Sequence, residues 1–143
     1  MGLARWYETE ALVSTGEIER AVDDVRHFET HFGKSKRHRI PYLRSLAVLA
    51  QYRGEIELAI VYLREAAKLA EEIGLPGELW MIWAVLADLY LKQGEHEQAS
   101  YGYREAARLV RELAATIRED ERRKTYLSSP LIERVLRATS REE

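Results

Sequence analysis

The sequence predicts an all-α protein: an α–α superhelix of three helix pairs, completed by one or two C-terminal capping helices. Three observations lead there. A turn recurs as Gly16-Glu17-Ile18-Glu19-Arg20-Ala21, Gly54-Glu55-Ile56-Glu57-Leu58-Ala59 and Gly94-Glu95-His96-Glu97-Gln98-Ala99, spaced by 38 and 40 residues. Repetition at such a period marks stacked units, each too small to bury its own apolar face. Between the turns, apolar residues fall at three-to-four spacing, and no segment alternates as a strand does. One domain over 1–143 follows: a first repeat at about 3–33, a second at about 40–74, a third at about 78–118, and capping helices at about 120–138.

Each element has its own signals. Residues 3–15 read as a helix broken at Thr15-Gly16. A second helix runs from about Glu17 to Phe32 on Ile18, Ala21, Val22, Val25, Phe28 and Phe32, and Gly33 ends it. Lys34-Ser35-Lys36-Arg37-His38-Arg39 reads as a basic loop, and Pro41 suits the first turn of a helix reaching Arg53. After Gly54 a longer helix extends to Ile73, where Gly74-Leu75-Pro76-Gly77 stops it. The next helices span about Glu78 to Gln93 and Glu95 to Arg118. Asp120 is placed to cap a short helix, and Ser129-Pro130 to open a last one through Arg137, with the tail from Ala138 fraying.

Composition bounds the function. With 143 residues, 46% hydrophobic and 32% charged, the chain can bury one domain's core. A net charge of −2 exerts no global pull on nucleic acid or an anionic membrane. The lack of cysteine removes disulfides, thiolate zinc sites and cysteine nucleophiles, and fits a cytoplasmic location. No apolar run approaches the ~18 residues of a membrane span, and Met1-Gly2-Leu3-Ala4-Arg5-Trp6 lacks the apolar stretch of a secretory signal. That start also lacks an N-cap, as expected of a segment cut from a longer protein.

Offset by 40 residues, Arg64-Glu65-Ala66-Ala67-Lys68-Leu69 falls on Arg104-Glu105-Ala106-Ala107-Arg108-Leu109, and Leu46, Ala47 and Leu49 fall on Leu86, Ala87 and Leu89. The third copy reads Trp83, Leu86, Ala87, Tyr90, Ala99, Tyr103, Ala106; the second reads Leu43, Leu46, Ala47, Ala50, Ala59, Leu63, Ala66. The first copy is degenerate, keeping Leu12, Ala21 and Val25 but placing Glu8 and Thr9 where a leucine and a small residue belong. Small residues belong where helices cross closely, and large ones beside them.

This alternation resembles the tetratricopeptide repeat, here lengthened from its usual ~34 residues. Long repeats of this kind are similar to those of kinesin light chains and of bacterial signalling ATPases. Residues 112–117, 122–127, Ser129-Pro130-Leu131 and Val135-Leu136 resemble the closing segment of the C-terminal arrays in MalT-like, LuxR-type large ATP-binding regulators. The resemblance implies a non-enzymatic interaction module, the sensor or adaptor arm of a signalling or transcriptional regulator. Its first helices would line a concave groove that holds a peptide, protein or effector.

Counted from the pattern, that groove draws Trp6, Glu10 and Val13 from the first pair, Arg44, Val48, Gln51 and Tyr52 from the second, and Met81, Ala84, Asp88, Leu91 and Lys92 from the third. Such a mixture suits an amphipathic helix or extended peptide. It lacks the basic-and-asparagine clamp for a terminal carboxylate, since the chain has no asparagine. An alternative occupant of that face is the chain's own last helices.

Two other functions compete. The degenerate first pair could leave Leu3, Trp6 and Tyr7 to pack in a homo-oligomer. The basic loop 34–39 could meet phosphate, although no interleaved aromatics support base recognition. Catalytic signals are weak. His27 and His31 lie one turn apart, but His-Phe-Glu-Thr-His puts its glutamate in the wrong place for a zinc protease, and ordinary surface histidines account for them. The glutamates after each turning glycine suit helix N-termini rather than acid–base pairs. No phosphate loop or nucleophile elbow occurs, and neither catalytic residue, metal nor cofactor is expected.

Overall fold

The repeated glycines are the joints of the structure. In this computed structural model, which describes Glu10, residues 16–32 and residues 36–140, all seven continuous elements are helices. They are α1 (Ile18–Phe32), α2 (Lys36–Tyr52), α3 (Ile56–Ile73), α4 (Pro76–Lys92), α5 (His96–Ala115), α6 (Asp120–Leu127) and α7 (Pro130–Ser140). Side chains of residues 24, 27–32, 36, 37 and 140 fall outside the description, as does the expected helix over 3–15 apart from Glu10, which is helical.

The turns after α2 and α4 are superposable in their hydrogen bonds. The Gly54 amide donates to the Gln51 carbonyl (3.0 Å) and the Glu55 amide to that of Ala50 (2.8 Å). Forty residues on, Gly94 donates to Leu91 (3.0 Å) and Glu95 to Tyr90 (2.9 Å). This is the Schellman arrangement, which satisfies the last carbonyls of a helix through a residue in the left-handed region. Gly54 has φ 75° and Gly94 φ 78°, conformations that side-chain-bearing residues rarely adopt.

The chain divides into two compact units, Met1–Ile73 and Gly74–Glu143. In the first, α2 packs on both α1 and α3. Ala21 and Val25 of α1 join Tyr42 and Leu49 of α2 in one buried cluster. The α2–α3 hairpin buries small residues on both arms: Ala47 and Ala50 on α2, and Ala59, Ala66, Ala67 and Ala70 on α3. Arg39 and Glu65 form an ion pair from α2 to α3 at 2.9 Å.

In the second unit, α4 packs most extensively on α5, and α7 lies on α5. Here the small residues are Ala87 on α4 and Ala99, Gly102, Ala106 and Ala107 on α5, all buried. A β-carbon added to Gly102 would stand 3.0 Å from Ala87 Cβ and 3.2 Å from the Trp83 carbonyl oxygen, so these backbones approach as closely as glycine permits. Beside that crossing, Trp83 and Tyr101 meet edge to face, 5.4 Å apart. Ile132, Val135 and Thr139 of α7 are buried, whereas α6 buries no residue.

Several boundaries differ from the sequence reading, α4 for example opening at Pro76 rather than Glu78, and four of the differences have a physical reason in the contacts. Helix α2 begins at Lys36, so residues 36–39 of the expected basic loop are helical and Pro41 sits inside the helix. A proline there forfeits one backbone hydrogen bond, and burial of Ile40, Pro41, Tyr42 and Leu43 offsets that loss. Helix α5 ends at Ala115, short of Arg118, because side chains take over its final carbonyls. The Thr116 hydroxyl donates to Leu113, and the Arg123 guanidinium donates to Ala114 and Ile117. At α6, Glu119 holds the N-cap position without a side-chain cap, and Asp120 instead pairs with Arg123 at 3.2 Å. Finally, α7 continues to Ser140 because Thr139 is anchored: its hydroxyl lies 3.2 Å from the Val135 carbonyl and 3.4 Å from that of Tyr103.

Candidate functional site

Three helices of the second unit converge on one carboxylate. Asp88 stands on the C-terminal half of α4, Tyr103 on α5 and Arg134 on α7. The Tyr103 hydroxyl donates to Asp88 Oδ1 at 2.6 Å. Arg134 donates through Nη1 to Oδ1 at 2.8 Å and through Nη2 to Oδ2 at 3.1 Å. A bidentate guanidinium–carboxylate pair of this kind fixes orientation as well as charge. Burial, then the hydrogen bond to the Asp88 carboxylate, raises the Tyr103 phenol well above the usual tyrosine value, with Arg134 opposing. Asp88 in turn holds the Arg134 guanidinium more firmly protonated than usual.

Next to this triad is an open cleft of about 600 Å³. Leu91 and Tyr103 form one wall; Pro130, Glu133, Arg134, Arg137 and Ala138 of α7 form the other. Leu91 is 48% exposed, an apolar side chain left unsatisfied at its edge.

The structure redistributes the residues expected to line a groove. Trp6 and Val13 lie outside the described residues; Glu10 is exposed. In α2, Val48 and Gln51 are half-buried and Tyr52 is exposed. Arg44, however, is 4% exposed, so it belongs to the interior of its unit rather than to a ligand-facing surface. In α4, Met81 is half-buried and Leu91 and Lys92 are exposed. Ala84 is 1% exposed and is likewise interior, in keeping with the small residues that line its helix crossing. Asp88 is not an open ligand either, because Tyr103 and Arg134 already occupy its oxygens. At Asp88 the last helix meets this face through Arg134.

Tyr103 was legible only as a large core residue of the repeat, and Arg134 carried no signal at all. Its partner lies 46 residues upstream, and nothing local distinguishes it from the other arginines of the C-terminal segment. Of the basic stretch, His38 and Arg39 are half-buried and Arg39 is paired with Glu65; residues 34 and 35 lie outside the described residues. The side chains of His27 and His31, considered together as metal ligands, also lie outside the description.

Comparison with models of known families, with characterised proteins and with solved structures gives no match. What the described residues define is an all-helical protein built on repeated hairpins. No helix among them is long and apolar enough to cross a membrane.

Proposed function

We propose that this chain is a non-enzymatic protein-interaction module of tetratricopeptide type, which holds a peptide or partner protein against its helical hairpins. The observation that carries this reading is the structural repeat. The α2–α3 and α4–α5 hairpins share their turn hydrogen bonds residue for residue at an offset of 40. They also share buried small residues at matching positions, Ala47 with Ala87, Ala59 with Ala99 and Ala66 with Ala106. Repeated hairpins serve binding because they present long exposed faces on a rigid frame. Tyr52, 56% exposed, and Leu91 are large apolar groups offered on such faces. By its resemblance to regulator arrays, the module acts as a sensor or adaptor arm whose ligand shifts an output domain between two forms, through its different affinity for each.

The test is selection of binding peptides from a random library on the purified chain, followed by titration against two variants. Tyr52→Ala in the first unit or Leu91→Asp in the second is expected to weaken a selected peptide at least about tenfold, a loss of ~1.4 kcal/mol. Circular dichroism establishes that each variant keeps its helices. Selected peptides that bind both variants as tightly as the parent chain contradict the reading.

Homo-oligomerisation is the second reading. Leu58 and Val61, one turn apart on α3, are 38% and 59% exposed. Sedimentation over a dilution series decides: a concentration-independent monomer removes it.

A further inference from the structure

Helix α7 is held differently from every other helix of its unit. The segment joining it to the α4–α5 hairpin buries no residue of α6 and is tied to the end of α5 by Arg123, which donates to the Ala114 and Ile117 carbonyls. Helix α7 by contrast is seated: Ile132, Val135 and Thr139 are buried, and its Arg134 reaches across to Asp88 on α4. Yet the seat is wider than the helix in it. The cleft of about 600 Å³ lies between α7 and Leu91, and Pro130, Glu133, Arg134, Arg137 and Ala138 of α7 line it. Ala138 and Leu91 both line it, and Ala138 is the smallest side chain among the lining residues.

We propose that the seat of α7 is a docking surface for an amphipathic helix, that α7 is its built-in occupant, and that a partner helix binds by displacing α7. The partner's chemistry follows from the contacts. It carries an arginine to meet Asp88, apolar residues in the registers of Ile132 and Val135, and a bulky apolar residue in the register of Ala138. That last residue fills the cleft and gives the partner its advantage. The advantage is needed, because a tethered helix competes at an effective concentration on the order of millimolar. This inference rests on the interaction-module reading and names the partner class at one site.

The experiment uses the full chain and two labelled synthetic peptides of residues 129–140, one of native sequence and one with Ala138→Leu. Three chains are compared: the parent, Arg134→Asp, and the charge-swapped Asp88→Arg/Arg134→Asp. Arg134→Asp sets its own α7 against Asp88, so it is expected to bind the native peptide at least about tenfold more tightly than the parent does. The leucine peptide is expected to bind several-fold more tightly than the native one. The charge-swapped chain, whose α7 is again matched, is expected to bind neither. Equal binding by all three chains overturns the proposal, as does indifference to the leucine.

Should Arg134→Asp lose its helices, hydrogen exchange on the parent chain gives a separate decision. Amides of α7 must exchange at lower protection than those of α4 and α5; exchange of all three only in global unfolding overturns displacement. Failure here is distinguishable from failure of the general reading, since library peptides that depend on Tyr52 and ignore Asp88 would support that reading without this site.

Discussion

Tyr103 combines a core position with a polar contact. Its ring fills the large-residue site of the repeat, while its hydroxyl donates to Asp88. The folded chain therefore keeps the phenolic proton at a pH where the unfolded chain, titrating near ~10, gives it up. The contribution of this group to stability is complete below about pH 10 and declines as pH rises above that value, by about 1.4 kcal/mol per unit. Tyr103→Phe has no such titration. It is expected to be less stable than the parent at pH 8, with the gap in urea midpoint narrowing between pH 10 and 11. A gap that stays constant would show that the phenol does not carry the proton difference. Ser45 is the opposite case: its hydroxyl is buried in α2 and has no hydrogen-bond partner among the described residues. An unmet buried hydroxyl costs ~1–3 kcal/mol, so Ser45→Ala is expected to leave the urea midpoint unchanged or raise it.

At the scale of the element, the two glycine roles separate cleanly. A β-carbon at Gly94 would meet nothing within 4 Å, so Gly94→Ala acts only through its φ of 78°. The left-handed region costs a side-chain-bearing residue about 1–2 kcal/mol, and thermal unfolding should show a loss of that order. Gly102 has ordinary helical backbone but no room. Gly102→Ala must move α5 away from Ala87 and the Trp83 carbonyl, and overpacking of this sort costs about 1–3 kcal/mol. The variant should also change the near-ultraviolet signal of the Trp83–Tyr101 pair, which Gly94→Ala should not. These elements also show how far local sequence carries. The hairpins were readable because the turning glycine and several alanines repeat 40 residues on, Gly54 with Gly94, Ala47 with Ala87, Ala59 with Ala99 and Ala66 with Ala106. The start of α2 was not readable, because Pro41 signals a helix opening while the burial that overrides it comes from tertiary packing. The end of α7 was hidden for the same reason: Thr139 is held by Tyr103, 36 residues away.

At the scale of the whole molecule, the candidate site was less legible than the fold. Periodicity reports which residues face a helix partner, and it does not separate the buried Arg44 and Ala84 from the less buried Asp88 and Leu91. Pairing between charges on distant helices leaves no period, so Arg134 carries no mark of its partner 46 residues away. The division into two units carries a prediction of its own. Leu79, Trp80, Ile82, Leu86, Leu89, Val110, Ile132 and Val135 are buried, and all belong to the second unit. Its α4–α5 hairpin, its covering helix α7 and the Asp88–Arg134 pair likewise lie within Gly74–Glu143. A domain of roughly 60–70 residues buries only about 60% of the surface its unfolded chain exposes, so such a fragment is marginal but can fold alone. The fragment 74–143 is expected to be helical by circular dichroism and to melt cooperatively. Removing α7 as well exposes the apolar surface beneath Ile132 and Val135, so a fragment ending at residue 118 should lose that cooperative transition. A 74–143 fragment that melts without a transition would contradict its folding as a unit of its own.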